Sequence, residues 1–215
     1  MVALRPRHNS LLFRTGSGLV LAWLWLVAPG GAAESASLAQ APRGFSCQEY
    51  VDESGFCTRY ILFRPYRDSP DGKYPLILFL NGYGENGSDG VSQLSNNLGH
   101  AVWDSRYRFP FLLVAPQMSA DSSWLRADSA VANATIPIID QACEQLGADA
   151  SRVYVTGPSS GGAGTVALAE RFSERFAAAV PVATGYSKQL SGMPIWSFLN
   201  QRDRKDLVEE AEKGF

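Results

Sequence analysis

Three short, uninterrupted apolar runs constrain this chain more than anything else in it. Tyr74-Pro-Leu-Ile-Leu-Phe-Leu80 lies between Gly72 and Asn81-Gly82. Phe111-Leu-Leu-Val-Ala115 is closed by Pro116, and Val153-Tyr-Val-Thr156 runs into a glycine-rich stretch from Gly157 to Gly164. Runs of this length between turn residues are strands covered on both faces. Between the second and third lies a helical pattern from about Ser129 to Leu146. It sets Val131, Ile136, Ile138, Ile139, Ala142 and Leu146 on or near one face, with Asp140 and Glu144 mostly opposite. Another helix follows Gly164 and ends near Arg175. Ala177–Val182 and Pro194–Leu199 read as further strands, and the charged stretch 202–213 as a last helix started by Asp203 or nearby. Strands alternating with helices predict βαβ units with right-handed crossovers. The fold class expected is therefore α/β, a three-layer α/β/α sandwich around a mostly parallel, doubly wound sheet. Arg59-Tyr-Ile-Leu-Phe-Arg64 alternates apolar and polar residues and reads as an outer or edge strand.

The first 33 residues read as a secretory signal. Arg5, Arg7, His8 and Arg14 precede the apolar stretch Leu19–Val27, and Pro29-Gly30-Gly31 and small residues follow, with cleavage expected after Ala33. At about a dozen residues the apolar stretch is short for a membrane span, which needs roughly 20. The expected organisation is a signal over 1–33, a polar linker over 34–43, and one α/β domain over 44–215. The expected location is secreted or periplasmic, with no stable membrane insertion once the signal is removed.

The formal net charge is −2 over 215 residues. A chain starting at Glu34 loses three arginines and becomes more acidic, so no basic stripe is available for nucleic acid. An oxidising compartment suits disulfides. Cys47 and Cys57 flank the turn-like Val51–Gly55, and the segments on either side suit a hairpin clipped by a Cys47–Cys57 disulfide. Cys143 is left over and, in an amphipathic helical pattern, reads as a buried thiol acting as a small hydrophobe. With His8 and His100 the only histidines, no metal-ligand cluster is expected.

Val153-Tyr-Val-Thr-Gly-Pro-Ser-Ser-Gly-Gly162 contains G-x-S-x-G as Gly157-Pro158-Ser159-Ser160-Gly161, directly after an apolar strand and before an alanine-rich helix. A strand turning sharply into a helix projects the serine hydroxyl out of the sheet, and the flanking glycines remove side chains that would collide in the turn. Ser159 is the nucleophile candidate. The free N–H of Ser160, at the helix start, is one donor for a developing oxyanion. Leu80-Asn-Gly-Tyr-Gly-Glu-Asn-Gly87 follows another buried strand at the same sheet edge. There Gly82 and Gly84 would let the N–H of Tyr83 serve as the second donor.

These segments in order, with Leu113-Val-Ala-Pro-Gln117 and Phe176–Ala183, resemble the α/β-hydrolase superfamily. Within it the chain is most similar to secreted esterases and peptidase-like proteins of the polyhydroxybutyrate depolymerase, feruloyl esterase and dienelactone hydrolase type, from about Tyr60 to Asp203. The resemblance implies a serine hydrolase acting on small-molecule or polymer-linked carboxylic esters through an acyl-enzyme, with no cofactor. Ser159 matches the nucleophile, and Ser160 stands where methionine is frequent. Asn81 stands where the H-G-x-G loop has histidine. Asp203 matches the triad acid, with Asp206 a weaker substitute and a helix cap the plain reading of Asp203. The triad order is serine, acid, histidine, and no histidine follows Asp203 in this sequence. The expectation is a truncated copy or fragment of a longer enzyme. Two alternatives stay open, a peptidase on the same fold and a non-catalytic relic or binding module. Trp103, Trp124 and Trp196 read as either core or cleft residues, with Trp124 the better cleft candidate of the three. Asn86-Gly-Ser88 and Asn133-Ala-Thr135 match the glycosylation pattern.

Overall fold

A computed structural model describes residues 37–95, 98–126, 128–185, 190 and 192–200. The signal segment, Asp203 and Asp206 lie outside these. The described chain runs β1 (Gly44–Val51), β2 (Cys57–Arg64), β3 (Tyr74–Phe79), α1 (Leu98–Ser105), β4 (Leu112–Pro116), α2 (Ala130–Leu146), β5 (Ala148–Pro158), α3 (Ser160–Arg171) and β6 (Ala178–Val182). Six strands form one sheet in the order β1-β2-β4-β3-β5-β6. β1–β2 and β2–β4 pair antiparallel, and β4–β3, β3–β5 and β5–β6 pair parallel.

The pleat explains why the central runs are apolar throughout. Alternate residues point to opposite faces, and helices cover both. Leu62, Leu76, Leu78, Val114, Val153 and Val155 share one core cluster with Val131, Ile138 and Ile139 of α2 and Leu168 of α3. Ile61, Phe63, Phe79, Leu113 and Ala115 share the other with Val102 of α1. All five residues of β4 are buried. Each such aliphatic side chain contributes about 1.5–3 kcal/mol by leaving water. The three-layer α/β/α sandwich is thus present. α2 follows its sequence pattern closely: Ser129 Oγ accepts from Ala132 N, and Gly147, at φ 72°, ends the helix in the left-handed region.

Two expectations need correction. Arg59–Arg64 is not an edge strand. β2 lies between β1 and β4, and Tyr60, Ile61, Leu62 and Phe63 are all buried. The two arginines mark the ends of the strand, where side chains reach water, and the edge position belongs to half-exposed β1. The hairpin forms around the Gly55 turn, where φ is 86°, but Cys47 and Cys57 do not join. The register pairs Cys47 with Ile61 and Cys57 with Val51, leaving them four residues apart along the ladder. That is about 13 Å at strand rise, and a disulfide spans Cα atoms about 4.4–6.8 Å apart. Both thiols are free. An Asx turn closes the hairpin instead, with Asp52 Oδ1 accepting from the N–H groups of Ser54 at 2.8 Å and Phe56 at 3.0 Å.

Two further segments matter for placement. Within 34–43, Leu38 and Ala41 are buried in the α2-side core, and Leu38 N donates to Gln145 at 2.8 Å. Beyond β6, residues 194–200 run parallel to it through bridges at Ala179–Ile195 and Val182–Phe198.

Candidate active site

β5 and α3 meet at Ser159, which adopts φ 54° and ψ −118°. An L-residue there carries about 1–3 kcal/mol of backbone strain. Among the described residues only Ser159 and Ala183 are non-glycines at positive φ. Two bonds hold the turn: Ser159 N donates to Val182 O and Ala163 N donates to Ser159 O, both at 2.9 Å. The side chain is exposed at the C-terminal edge of the sheet, and α3 starts at the next residue.

The flanking glycines have a steric cause. A Cβ at Gly157 would lie 2.3 Å from Leu80 O, and one at Gly161 would lie 2.0 Å from the same oxygen and 2.8 Å from Asn81 O. At Gly162 it would meet Val182 O at 2.5 Å. The elbow therefore rests directly on the backbone leaving β3, so no side chain fits at 157 or 161.

That backbone leads into the second candidate element. Gly82 lies against the elbow, since a Cβ there would be 3.6 Å from Pro158 O. Tyr83 opens a short 3-10 turn over Tyr83–Glu85, and its side chain is 73% exposed. The N–H groups of Tyr83 and Ser160 carry none of the turn, loop or cap hydrogen bonds found among the described residues. Both expected donors thus sit on the two segments that touch. The glycines of this loop differ from expectation. Gly82 has an ordinary φ of −71°, and nothing lies within 4 Å of a Cβ on Gly84. Neither is there for conformational freedom, so the loop is shaped by other groups.

Those groups are buried side chains. Asn81 is fully buried. Its Nδ2 donates to Gly82 O at 2.8 Å and Asn86 Oδ1 at 2.9 Å, and its Oδ1 accepts from Met118 N at 2.9 Å. Glu85 Oε2 accepts from Gly82 N at 3.0 Å. Gln117 Nε2 donates to Glu85 O at 3.1 Å and Asp89 Oδ1 at 3.2 Å, while its Oε1 accepts from Gly90 N at 2.8 Å. Hydrogen bonds from the Ser92 hydroxyl and the N–H groups of Ser92 and Val91 hold the Asp89 carboxyl down at about 2. The residue type at 81, a hydrogen-bonding amide after a buried strand, was the available sequence signal; Glu85 and Gln117 gave none.

Trp124 is not a cleft aromatic. It is 1% exposed, its Nε1 donates to Asn81 O at 3.0 Å, and its Cβ fills the space a side chain at Gly164 would need. The polar run Ala120–Ser123 hid this, because a loop can send one residue into the core. Trp103 is exposed with the Arg106 guanidinium 4.4 Å from its ring centre. Trp196 is 70% exposed, its ring tilted against that of Phe198 with centres 5.0 Å apart. Of the glycosylation matches, Thr135 is wholly buried in α2 and Asn86 is bonded into the loop.

His100 is exposed on α1 and borders a cavity with Phe45, Ile61 and Trp103. That places it over β1–β2, three strands from β5. Among the described residues no group of three His, Cys, Asp or Glu side chains is arranged to hold a metal, and no helix is long and apolar enough to cross a membrane. A cavity of about 340 Å³ opens past the 81–87 loop, bordered by Glu49, Phe56, Arg59, Ser88, Gln117 and Ser119.

The fold is shared with solved hydrolases. A thermostable esterase aligns at 34% identity with a TM-score of 0.69, over 79% of this chain and 50% of that one. LpqC, a poly(3-hydroxybutyrate) depolymerase from Bordetella parapertussis, aligns at 17% identity and TM-score 0.55, over 84% of this chain and 64% of its own. FphF, a fluorophosphonate-binding serine hydrolase of Staphylococcus aureus, aligns at 15% and 0.50, over 81% and 67%. The chain spans half the length of the thermostable esterase. No protein-family model and no curated protein matches the chain.

Proposed function

We propose that this chain, a member of the α/β-hydrolase superfamily, is a serine hydrolase that cleaves carboxylic esters through an acyl-enzyme on Ser159. The observation that carries this reading is the exposed serine held at φ 54° between a strand and a helix N-terminus. Backbone strain of about 1–3 kcal/mol at a non-glycine residue clusters at functional sites. In the reaction, Ser159 Oγ attacks the ester carbonyl and loses its proton to a general base. The N–H groups of Tyr83 and Ser160 receive the oxyanion, the alcohol leaves with a proton, and water then releases the acid.

Asp203 is proposed as the acid that orients the base. Residues 194–200 support this, because Phe198 pairs with Val182, whose carbonyl binds Ser159 N. The chain therefore leaves this segment beside the elbow, three residues before Asp203. The base itself is a histidine in this scheme. His100 is remote from Ser159, and His8 falls in the segment proposed as an export signal for a secreted or periplasmic protein.

A second reading is a non-catalytic module on the same fold. One experiment separates the two. The 215-residue chain and its Ser159→Ala variant are treated with a fluorophosphonate and assayed on p-nitrophenyl acetate, with and without added imidazole. Without an internal base, turnover is expected to fall by up to about 10⁶, the oxyanion site and binding leaving about 10³ over water. Added imidazole should raise the rate of the parent chain and leave Ser159→Ala at background. Equal rates for the two proteins would discard the esterase reading.

A further inference from the structure

We propose that Asn81 and Trp124 are positioning residues that aim the Tyr83 N–H at the oxyanion; this rests on the serine-hydrolase reading above. Two consecutive peptide units carry the argument. The carbonyl of the Asn81–Gly82 peptide accepts from Trp124 Nε1 at 3.0 Å, and its N–H donates to Glu85 Oε2 at 3.0 Å. Held at both ends, that plane cannot rotate. The carbonyl of the next peptide, Gly82 O, accepts from Asn81 Nδ2 at 2.8 Å and from Glu85 N at 3.1 Å. Its other end is the Tyr83 N–H. Since a trans peptide points N–H and C=O in opposite directions, fixing Gly82 O toward the buried amide turns the Tyr83 N–H away from the interior.

The same contacts tie this donor to the nucleophile. Gly161, in the first turn of α3, presses on Leu80 O and Asn81 O. The Trp124 side chain lies against Gly164 one turn later while its indole binds Asn81 O. One buried ring thus touches both the helix that begins beside Ser159 and the peptide that precedes Gly82. Asn81 closes the remaining side by binding Met118 N, two residues past β4, and Asn86 across the loop. Hydrogen bonds to Gly82 O also polarise the peptide and strengthen Tyr83 N–H as a donor.

Asn81→Asp keeps the size of the side chain and the acceptor for Met118 N, and replaces the donor facing Gly82 O with an oxygen. Trp124→Phe keeps most of the packing and removes the N–H. In the free 215-residue protein, the Tyr83 amide nitrogen should move upfield in Asn81→Asp and its proton should exchange faster. Trp124→Phe should show the same changes to a smaller degree. Acylation of Ser159 by p-nitrophenyl acetate in imidazole buffer should slow about 100-fold in Asn81→Asp and about tenfold in Trp124→Phe. An unmoved Tyr83 resonance in folded Asn81→Asp overturns the proposal, as do unchanged acylation rates in both variants. If the parent protein shows no acylation at Ser159, the hydrolase reading fails, and the Tyr83 amide still decides the positioning.

Discussion

The elbow at 157–162 and the loop at 81–86 meet at the same edge of the sheet, yet they are built on opposite principles. The elbow is shaped by exclusion. Side chains are missing at 157, 161 and 162 because backbone oxygens stand 2.0–2.5 Å from where each Cβ would be. The loop is shaped by attraction. Its glycines at 82 and 84 have room, and buried Asn81, Glu85 and Gln117 hold its backbone through hydrogen bonds. A sterically excluded site tolerates no addition, whereas a bonded site tolerates addition and suffers from deletion.

Substitutions on each side break or sharpen this contrast. Gly161→Ala is expected to have the largest effect, about 3 kcal/mol or more of destabilisation, because the overlap is with backbone that cannot move aside. Denaturant unfolding measures it. Gln117→Leu keeps the volume but leaves buried Gly90 N without its acceptor. About 2 kcal/mol should be lost by the same assay, with Ser159 labelling slowed. Asp89→Asn acts through pH. The folded carboxyl titrates at about 2 against an ordinary 3.8, so its contribution is full above the ordinary value and lost as pH falls toward 2. The variant should be less stable at neutral pH and show a flatter decline between those two values in an acid titration of stability. Gly84→Ala should be smallest, within about 0.5 kcal/mol of the parent. A large loss there would mean that the loop, too, is shaped by exclusion.

The same contrast explains what could be read from the sequence. Exclusion leaves glycines at fixed offsets, so Gly157, Ser159 and Gly161 were legible, as were the buried strands with their unbroken apolar runs. Attraction leaves little trace. Gln117 and Glu85 are unremarkable polar residues until their partners from other segments arrive. Trp124 was misread because its neighbours are polar, and β2 because arginines bracket an apolar centre. The disulfide failed on register, a property of two strands together that spacing along one chain does not contain. Asp203 lies outside the described residues, and its role stays a proposal.

The backbone at Ser159 carries one more consequence. Positive φ is a conformation glycine adopts freely, so the residue that would best suit this turn as architecture is not serine. Replacing Ser159 with glycine would relax the elbow, offset in part by the greater freedom of the unfolded chain. On the proposed function, folding and chemistry therefore pull in opposite directions at this one position. Relieved of the need to react, copies of this gene would be free to drift toward the more comfortable residue.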